Sequence, residues 1–554
     1  MFACAADALS APVIPGAEVT AFDVGLVKNY NATASQFLYY GHPTVVVENA
    51  SFCNITVTYT HPGANDSVHV ETWLPVDNYN GRLQSIGGGG WVAGRYPPTY
   101  PAMAGAIGQG YATSTTDAGL LVQADYGPDI WALTKDGHPN MQLLTNFASL
   151  SLNEQAIIAK ALIEAFYGQP PEYSYFNGCS QGGRQGMALA QRYPDAYDGI
   201  HAGAPAIFWN NLMSYLFWPQ LYMSLIGAYP HLCEFKALTE EAVKACDHLD
   251  GVEDGIIADD GACAFDPSSV IGRSFLCADT GKLKLISSEA AQVANATWSG
   301  PRTTEGKLMW YGSSIGSPLS GSAITDLTND IGPARTRCFQ NGSCIGEPLG
   351  LGETWIKYFV EADPTWTYKN MTHEDFQNYF HKANMLYDSV IGTQDSNLSA
   401  FHRRGGKMLT YHGMSDQIIP VKGTEHYHNL VGELVPEVND FYRLFKVPGL
   451  LHCAGGPGGQ PTNTFDALRA WVENGSVPDT ISHVYTTDAG RKQERLLCPF
   501  PMKAQLKACA HSGKKKTFTA KDYECVQGDE EDRFGVMRQH ADFSWTAVAP
   551  KSQR

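Results

Sequence analysis

The stretch "EYSYFNGCSQGGRQGMALAQRYP", residues 172–194, constrains the fold more than any other part of the chain. "EYSYF" reads as a short β-run, and "GRQGMALAQRYP" is rich in helix formers, so a strand passes through one sharp turn into a helix. Ser180 sits on that turn between Gly178 and Gly182, directly after Cys179. A strand, turn and helix of this kind raise a serine hydroxyl above the edge of a parallel sheet. The bare G-x-S-x-G pattern carries little weight, because a second copy occurs at Gly312, Ser314 and Gly316. The run "SPLSGS" beyond that copy holds Pro318 and further glycine and serines and will not continue as a helix. Ser180 is the expected nucleophile, and Ser314 is not.

A serine hydroxyl needs a base, and the base needs an orienting acid. "GGKMLTYHGMSDQIIP", residues 405–420, is an apolar strand running into a loop with Asp416. "YRLFKVPGLLHCAGGPGG", residues 442–459, is a second strand-like run ending in His452. One histidine among 17 would by itself be a surface or core residue. The strand-end positions, the nearby glycines and the chain order Ser180, Asp416, His452, which is that of α/β-hydrolases, single it out. Cys179 precedes the serine and Cys453 follows the histidine. A disulfide holds its Cα atoms about 4.4 to 6.8 Å apart, so a Cys179–Cys453 bridge would draw nucleophile and base together. It would contribute about 5 kcal/mol on loop-closure entropy, the competing account being two buried free cysteines.

Charge and cysteine usage narrow the setting. The net charge is −17 and the only basic run is "KKK" at 514–516, so the chain offers no surface to track phosphates and nucleic acid is excluded as a partner. Thirteen cysteines point to disulfides formed in an oxidising compartment. Asn31, Asn49, Asn54, Asn65, Asn295, Asn341, Asn370, Asn397 and Asn474 each begin N-x-[ST], where roughly three would arise by chance. The expectation is a secreted, extracellular glycoprotein. "MFACAADALSAPVIPG" has neither a basic start nor an apolar run, so the signal is expected to have been trimmed and a Met supplied. The uncharged stretch at 204–233 is broken by Asn210, Asn211, Pro219 and Gln220 and is aromatic, which fits a buried wall or pocket lining rather than a membrane span.

"GCSQGGRQG", "HGMSDQIIP", "LLHCAGGPGG", "GGGGWVAG" and "ACDHLDGVEDGII" together resemble the tannase and feruloyl esterase family over most of the chain, on the feruloyl esterase B side. The resemblance implies a Cys-Ser, Asp, His-Cys constellation. It also implies an oxyanion hole made by the N–H of Gln181 and one from the glycine loop, Gly89 or Gly90. Read from spacing alone, Asp247, Asp250 and Asp254 suit Ca²⁺ or a solvated acidic turn, though not an EF-hand. The family implies a structural Ca²⁺ held by Asp247, Asp250 and Asp254 through side chains and by Val252 and Ile256 through carbonyls. Cys246 and Cys263 bracket this loop and are expected to pair, as are Cys4 with Cys53 and Cys338 with Cys344. Cys233 is matched with Cys277, and Cys525 with either Cys498 or Cys509. The family often has a second cysteine soon after the one at 277, and this chain lacks it.

The interval from Ser180 to Asp416 is too long for the usual strands between nucleophile and acid, so an insertion is required. The expected fold is α/β, with an α/β-hydrolase core in residues 1–205 and 401–554 and a lid with the acidic loop in 206–400. The expected reaction is hydrolysis of phenolic acid esters through an acyl-enzyme. Feruloyl and other hydroxycinnamoyl esters of plant cell-wall polysaccharide come first and gallate esters second. The aromatic run at 207–223 is read as a wall that stacks on a methoxylated ring. A calcium-dependent binding glycoprotein without turnover is the reading from a different class. Oligomeric state is not legible.

Overall fold

From Cys53 to Tyr59 buried and half-exposed residues alternate along "CNITVTY", the period of a strand with one face on a core. In the computed structural model, which describes residues 4–120, 127–320, 331–487, 490–508, 517–528, 537–539 and 544–547, this strand belongs to one large sheet. The strands are β1 (Glu18–Ala34), β2 (Val45–Thr60), β3 (Val68–Pro75), β4 (Arg82–Ile86), β5 (Ala112–Thr116), β6 (Tyr173–Cys179), β7 (Gly199–Gly203), β8 (Lys407–Gly413) and β9 (Tyr442–Val447). Their spatial order is β1-β2-β3-β5-β4-β6-β7-β8-β9. Pairing is antiparallel from β1 to β5 and parallel from β5 onward. β6, β7 and β8 are buried at almost every residue, as parallel strands covered on both faces must be.

Tyr175 and Phe176, neighbours on β6, belong to different buried clusters, so the sheet has a core on each face. Met103 and Ile107 of α1 (Thr99–Gly108) share Tyr175's side with Phe465, Leu468 and Trp471. Leu162 of α2 (Ser151–Tyr167), Met187 of α3 (Gln181–Arg192) and the distant Tyr427 and Val431 cover the other. Among the described residues, 204–406 adds no strand to this sheet. It holds α4 (Trp209–Ile226), α5 (Leu232–Cys246) and two small hairpins. Two more hairpins, Ile481–Thr486 with Lys492–Leu497 and Met502–Leu506 with Tyr523–Gln527, come after the last core helix.

α4 corrects the expected aromatic wall. Every residue from Trp209 to Leu221 is buried, and a helix with no polar face is a core helix. Trp209 packs edge-on against Trp91 and Trp355 and Phe217 edge-on against Tyr368, while Trp218 meets Phe376 at a tilt. These rings pack against other protein side chains in the core. No helix among the described residues is long and apolar enough to cross a membrane.

Among the described residues six disulfides are formed: Cys4–Cys53, Cys179–Cys453, Cys233–Cys277, Cys246–Cys263, Cys338–Cys344 and Cys498–Cys525. Cys525 thus takes Cys498; Cys509 lies outside the described residues. Eight of the nine sequon asparagines are exposed. Asn54 differs, because it lies on β2 between two paired strands and its Nδ2 donates to Glu71 Oε1 at 3.3 Å.

Candidate active site

Four segments leave the carboxyl ends of parallel strands at one edge of the sheet. The glycine loop begins after β4, Ser180 follows β6, Asp416 lies just past β8 and His452 just past β9. The crevice outside the carboxyl ends of the strands is where open α/β sheets bind ligands. Ser180 has φ 64° and ψ −123°, a conformation that non-glycine residues avoid. Its N–H donates to Gly203 O at 3.0 Å, and its carbonyl accepts from Ala206 N at 3.0 Å. The turn requires glycines by close approach. A Cβ at Gly178 would lie 2.6 Å from the carbonyl carbon of Gly182, and one at Gly183 would lie 2.3 Å from Gly203 O. Ser180 is half-buried, whereas its two expected partners are buried.

His452 Nδ1 donates to Asp416 Oδ2 at 2.8 Å. Asp416 Oδ1 accepts from the N–H groups of Ile418 and Ile419, both at 2.8 Å. His412 Nε2 lies 3.2 Å from Asp416 Oδ2. Burial would raise the Asp416 carboxyl, but His452 and His412 beside it hold it well below the usual carboxylate range. The acid is therefore ionised, Nδ1 of His452 carries the proton, and Nε2 is left to accept one. The backbone N–H of His452 donates to Gln417 Oε1 at 3.2 Å. The Cys179–Cys453 bridge has a Cα–Cα distance of 5.9 Å, and Cys453 Sγ lies 3.7 Å from His452 Nε2. That nitrogen therefore faces the bridge whose other cysteine adjoins Ser180. Ser314 lies in a loop, and residues 315–320 after it form no helix.

Of the expected oxyanion donors, Gly89 gives its N–H to Val92 O at 3.1 Å. The N–H of Gly90, at φ 55°, has no acceptor among the described residues. The N–H of Gln181 stands in the first turn of α3, where no intrahelical partner exists. His412 and Gln417 were missed in the sequence, although both lie in the "HGMSDQ" run around the acid.

The acidic loop is more tightly tied than a solvated turn. Asp247 Oδ1 accepts from the N–H groups of Asp254, Gly255 and Ile256 at 3.1 to 3.2 Å. Arg495 places Nη1 3.2 Å from Asp250 Oδ2 and Nη2 2.8 Å from Asp254 Oδ2. Asp254 Oδ1 is buried with no partner among the described residues. Burial pushes the Asp250 carboxyl up to about 6 even with Arg495 beside it. Three carboxylates against one guanidinium leave two negative charges and an orphaned oxygen, which fits a hard divalent cation.

A serine on a strained turn above a mixed α/β sheet, with an Asp–His pair at the same edge, is the arrangement of groups that serine hydrolases use. The family model described as "Tannase and feruloyl esterase" matches residues 53–526, and the chain belongs to this family of carboxylic ester hydrolases. A probable feruloyl esterase of Arthroderma benhamiae is 35% identical over 521 residues, covering 92% of this chain and 93% of the relative. The tannin acyl hydrolase from Aspergillus niger superposes with a TM-score of 0.82 at 25% identity, covering 95% of this chain and 94% of that one. Feruloyl esterase B from Aspergillus oryzae superposes with a TM-score of 0.72 at 26% identity, over 93% of this chain and 97% of that one. A non-catalytic binding protein is accordingly set aside.

Proposed function

We propose that the protein is a secreted serine esterase that hydrolyses feruloyl and related hydroxycinnamoyl esters of plant cell-wall polysaccharide. The observation that carries the catalytic reading is the 2.8 Å Asp416–His452 hydrogen bond, on a histidine whose neighbour is bridged to the residue before Ser180. His452 Nε2 takes the Ser180 proton as Oγ attacks the ester carbonyl, and the N–H groups of Gln181 and Gly90 receive the oxyanion. His452 returns the proton to the departing alcohol, which leaves an acyl-enzyme. Water then repeats the cycle and frees the acid. Asp416 stays ionised and holds the imidazole tautomer.

Asp247, Asp250 and Asp254 would hold a Ca²⁺ through their side chains, with the carbonyls of Val252 and Ile256, and the ion would supply charge balance and cross-linking. The segment 206–400 acts as a lid. With the rings of α4 in the core, support for a feruloyl acyl group comes from the name of the 35% identical relative. A tannase acting on gallate esters is the second reading, supported by the superposition on a tannin acyl hydrolase. Turnover of methyl ferulate beside methyl gallate decides between them. A gallate preference in kcat/KM of about tenfold, some 1.4 kcal/mol, would overturn the feruloyl assignment.

A further inference from the structure

The final glutamine of "GCSQGGRQG" lies one turn beyond Gln181 on the same face of α3 and is fully buried. Its side-chain oxygen accepts the N–H of Gly88 at 2.9 Å. Its side-chain nitrogen donates to Ala93 O at 2.8 Å. One amide therefore ties both ends of the segment 88–93, in the middle of which stands Gly90. Within the segment Gly89 and Val92 pair back to back, N–H to carbonyl in both directions. The loop also rests on the helix backbone with no room between. A Cβ at Gly87 would lie 2.6 Å from Gln185 Oε1 and 2.9 Å from Gly182 Cα, and one at Gly182 would lie 2.9 Å from Gly88 O.

We propose that Gln185 is a positioning residue for ester hydrolysis: by clamping Gly88 and Ala93 it sets where the Gly90 N–H stands relative to the Gln181 N–H on its own helix. This rests on Ser180 being the nucleophile. One donor of the oxyanion pocket is built into α3 and the other belongs to a separate loop, so their spacing depends on whatever joins loop to helix. At neutral pH an amide fits the role and a carboxylate does not, since the clamp needs an acceptor at one end and a donor at the other. Arg184, the preceding residue, holds the side chain of Gln181, with Nε donating to Gln181 Oε1 at 2.6 Å.

The test uses Gln185→Leu and Gln185→Glu in the full-length protein, with methyl ferulate kinetics and inhibition by phenylboronic acid. The boron accepts an Oγ lone pair while the Oγ proton passes to His452, giving an anionic tetrahedral adduct that needs the same pocket. In Gln185→Leu, kcat/KM falls about 100-fold through kcat, with KM nearly unchanged and boronic acid inhibition weakened in parallel. In Gln185→Glu the loss relative to the parent shrinks as pH falls, because a protonated carboxyl again offers one acceptor and one donor. A folded Gln185→Leu protein within about threefold of the parent in kcat/KM overturns the proposal, as does a loss confined to KM with boronic acid affinity unchanged. Should the leucine variant fail to fold, a Gln185→Glu deficit that is independent of pH overturns it equally. Failure of the nucleophile reading looks different: the parent would not bind the boronic acid, and Ser180→Ala would remain active.

Discussion

Two carboxylates, the half-buried Asp388 and the buried Asp416, show how neighbours decide the sign of a pH effect. Asp388 accepts from Asn210 Nδ2 at 2.5 Å and Gln394 Nε2 at 3.1 Å, with no cation among its hydrogen-bond or ion-pair partners in the described residues. Burial pushes its carboxyl up to about 6, against the pull of the two amides. The folded state thus binds a proton more tightly than the unfolded chain, so this group costs stability as pH rises from about 4 through 6. Asp388→Asn is therefore expected to raise the melting temperature at pH 7.5 and to leave it nearly unchanged at pH 4, by calorimetry at both values. The substitution fits, since Asn210 Oδ1 and Gln394 Oε1 are buried without partners and either amide can turn to accept. Asp416 is more deeply buried yet held low, because two histidines and two N–H groups surround it. Its pairing with His452 was legible from chain order. His412 and Gln417 were not, because their roles depend on which loop returns beside them. The choice between Gly89 and Gly90 likewise turns on the Gly89–Val92 pairing, which four glycines in a row do not announce.

At the level of elements, β6 and β9 lead into Ser180 and His452, and the Cys179–Cys453 bridge ties their ends across a sequence separation of 274. Replacing both cysteines by serine is expected to cost about 2 to 5 kcal/mol of stability and to lower kcat/KM at temperatures where the variant stays folded. A non-reducing peptide map checks the premise; two free thiols in the active parent would contradict it. This bridge was readable because each cysteine abuts a residue singled out on other grounds. The run "IFWNNLMSYLFWPQLYM" was readable as buried. It was misread as a ligand wall, because composition does not say whether a ring packs on protein or on substrate. The partners that fill α4's surroundings, Trp91, Trp355, Tyr368 and Phe376, come from three separate stretches of chain.

Across the whole molecule, the sheet core and the long insertion were legible as intervals between motifs. What the insertion touches was not. The acidic loop stands far from Asp416 and His452 in sequence, which implied that calcium would matter for stability alone. In the fold it is wedged between the C-terminal hairpins and the loop that carries His452. Val252 packs with Leu506, Phe518 and Tyr523, and a Cβ on Gly449 would lie 2.9 Å from Ile256 Cγ1. Chelation, or Asp250→Ala, is expected to lower both melting temperature and kcat/KM. The stability share is about 2.7 kcal/mol when calcium stands at a hundred times its Kd. Unchanged melting and metal content in Asp250→Ala would leave the loop as a solvated turn. The most direct test of the whole scheme is the rate of methyl ferulate hydrolysis by Ser180→Ala with its folding verified. The expected result is a loss of about 10⁴-fold or more, down to a residue of binding and oxyanion stabilisation. A Ser180→Ala protein that keeps a tenth or more of the parent's kcat/KM would contradict it.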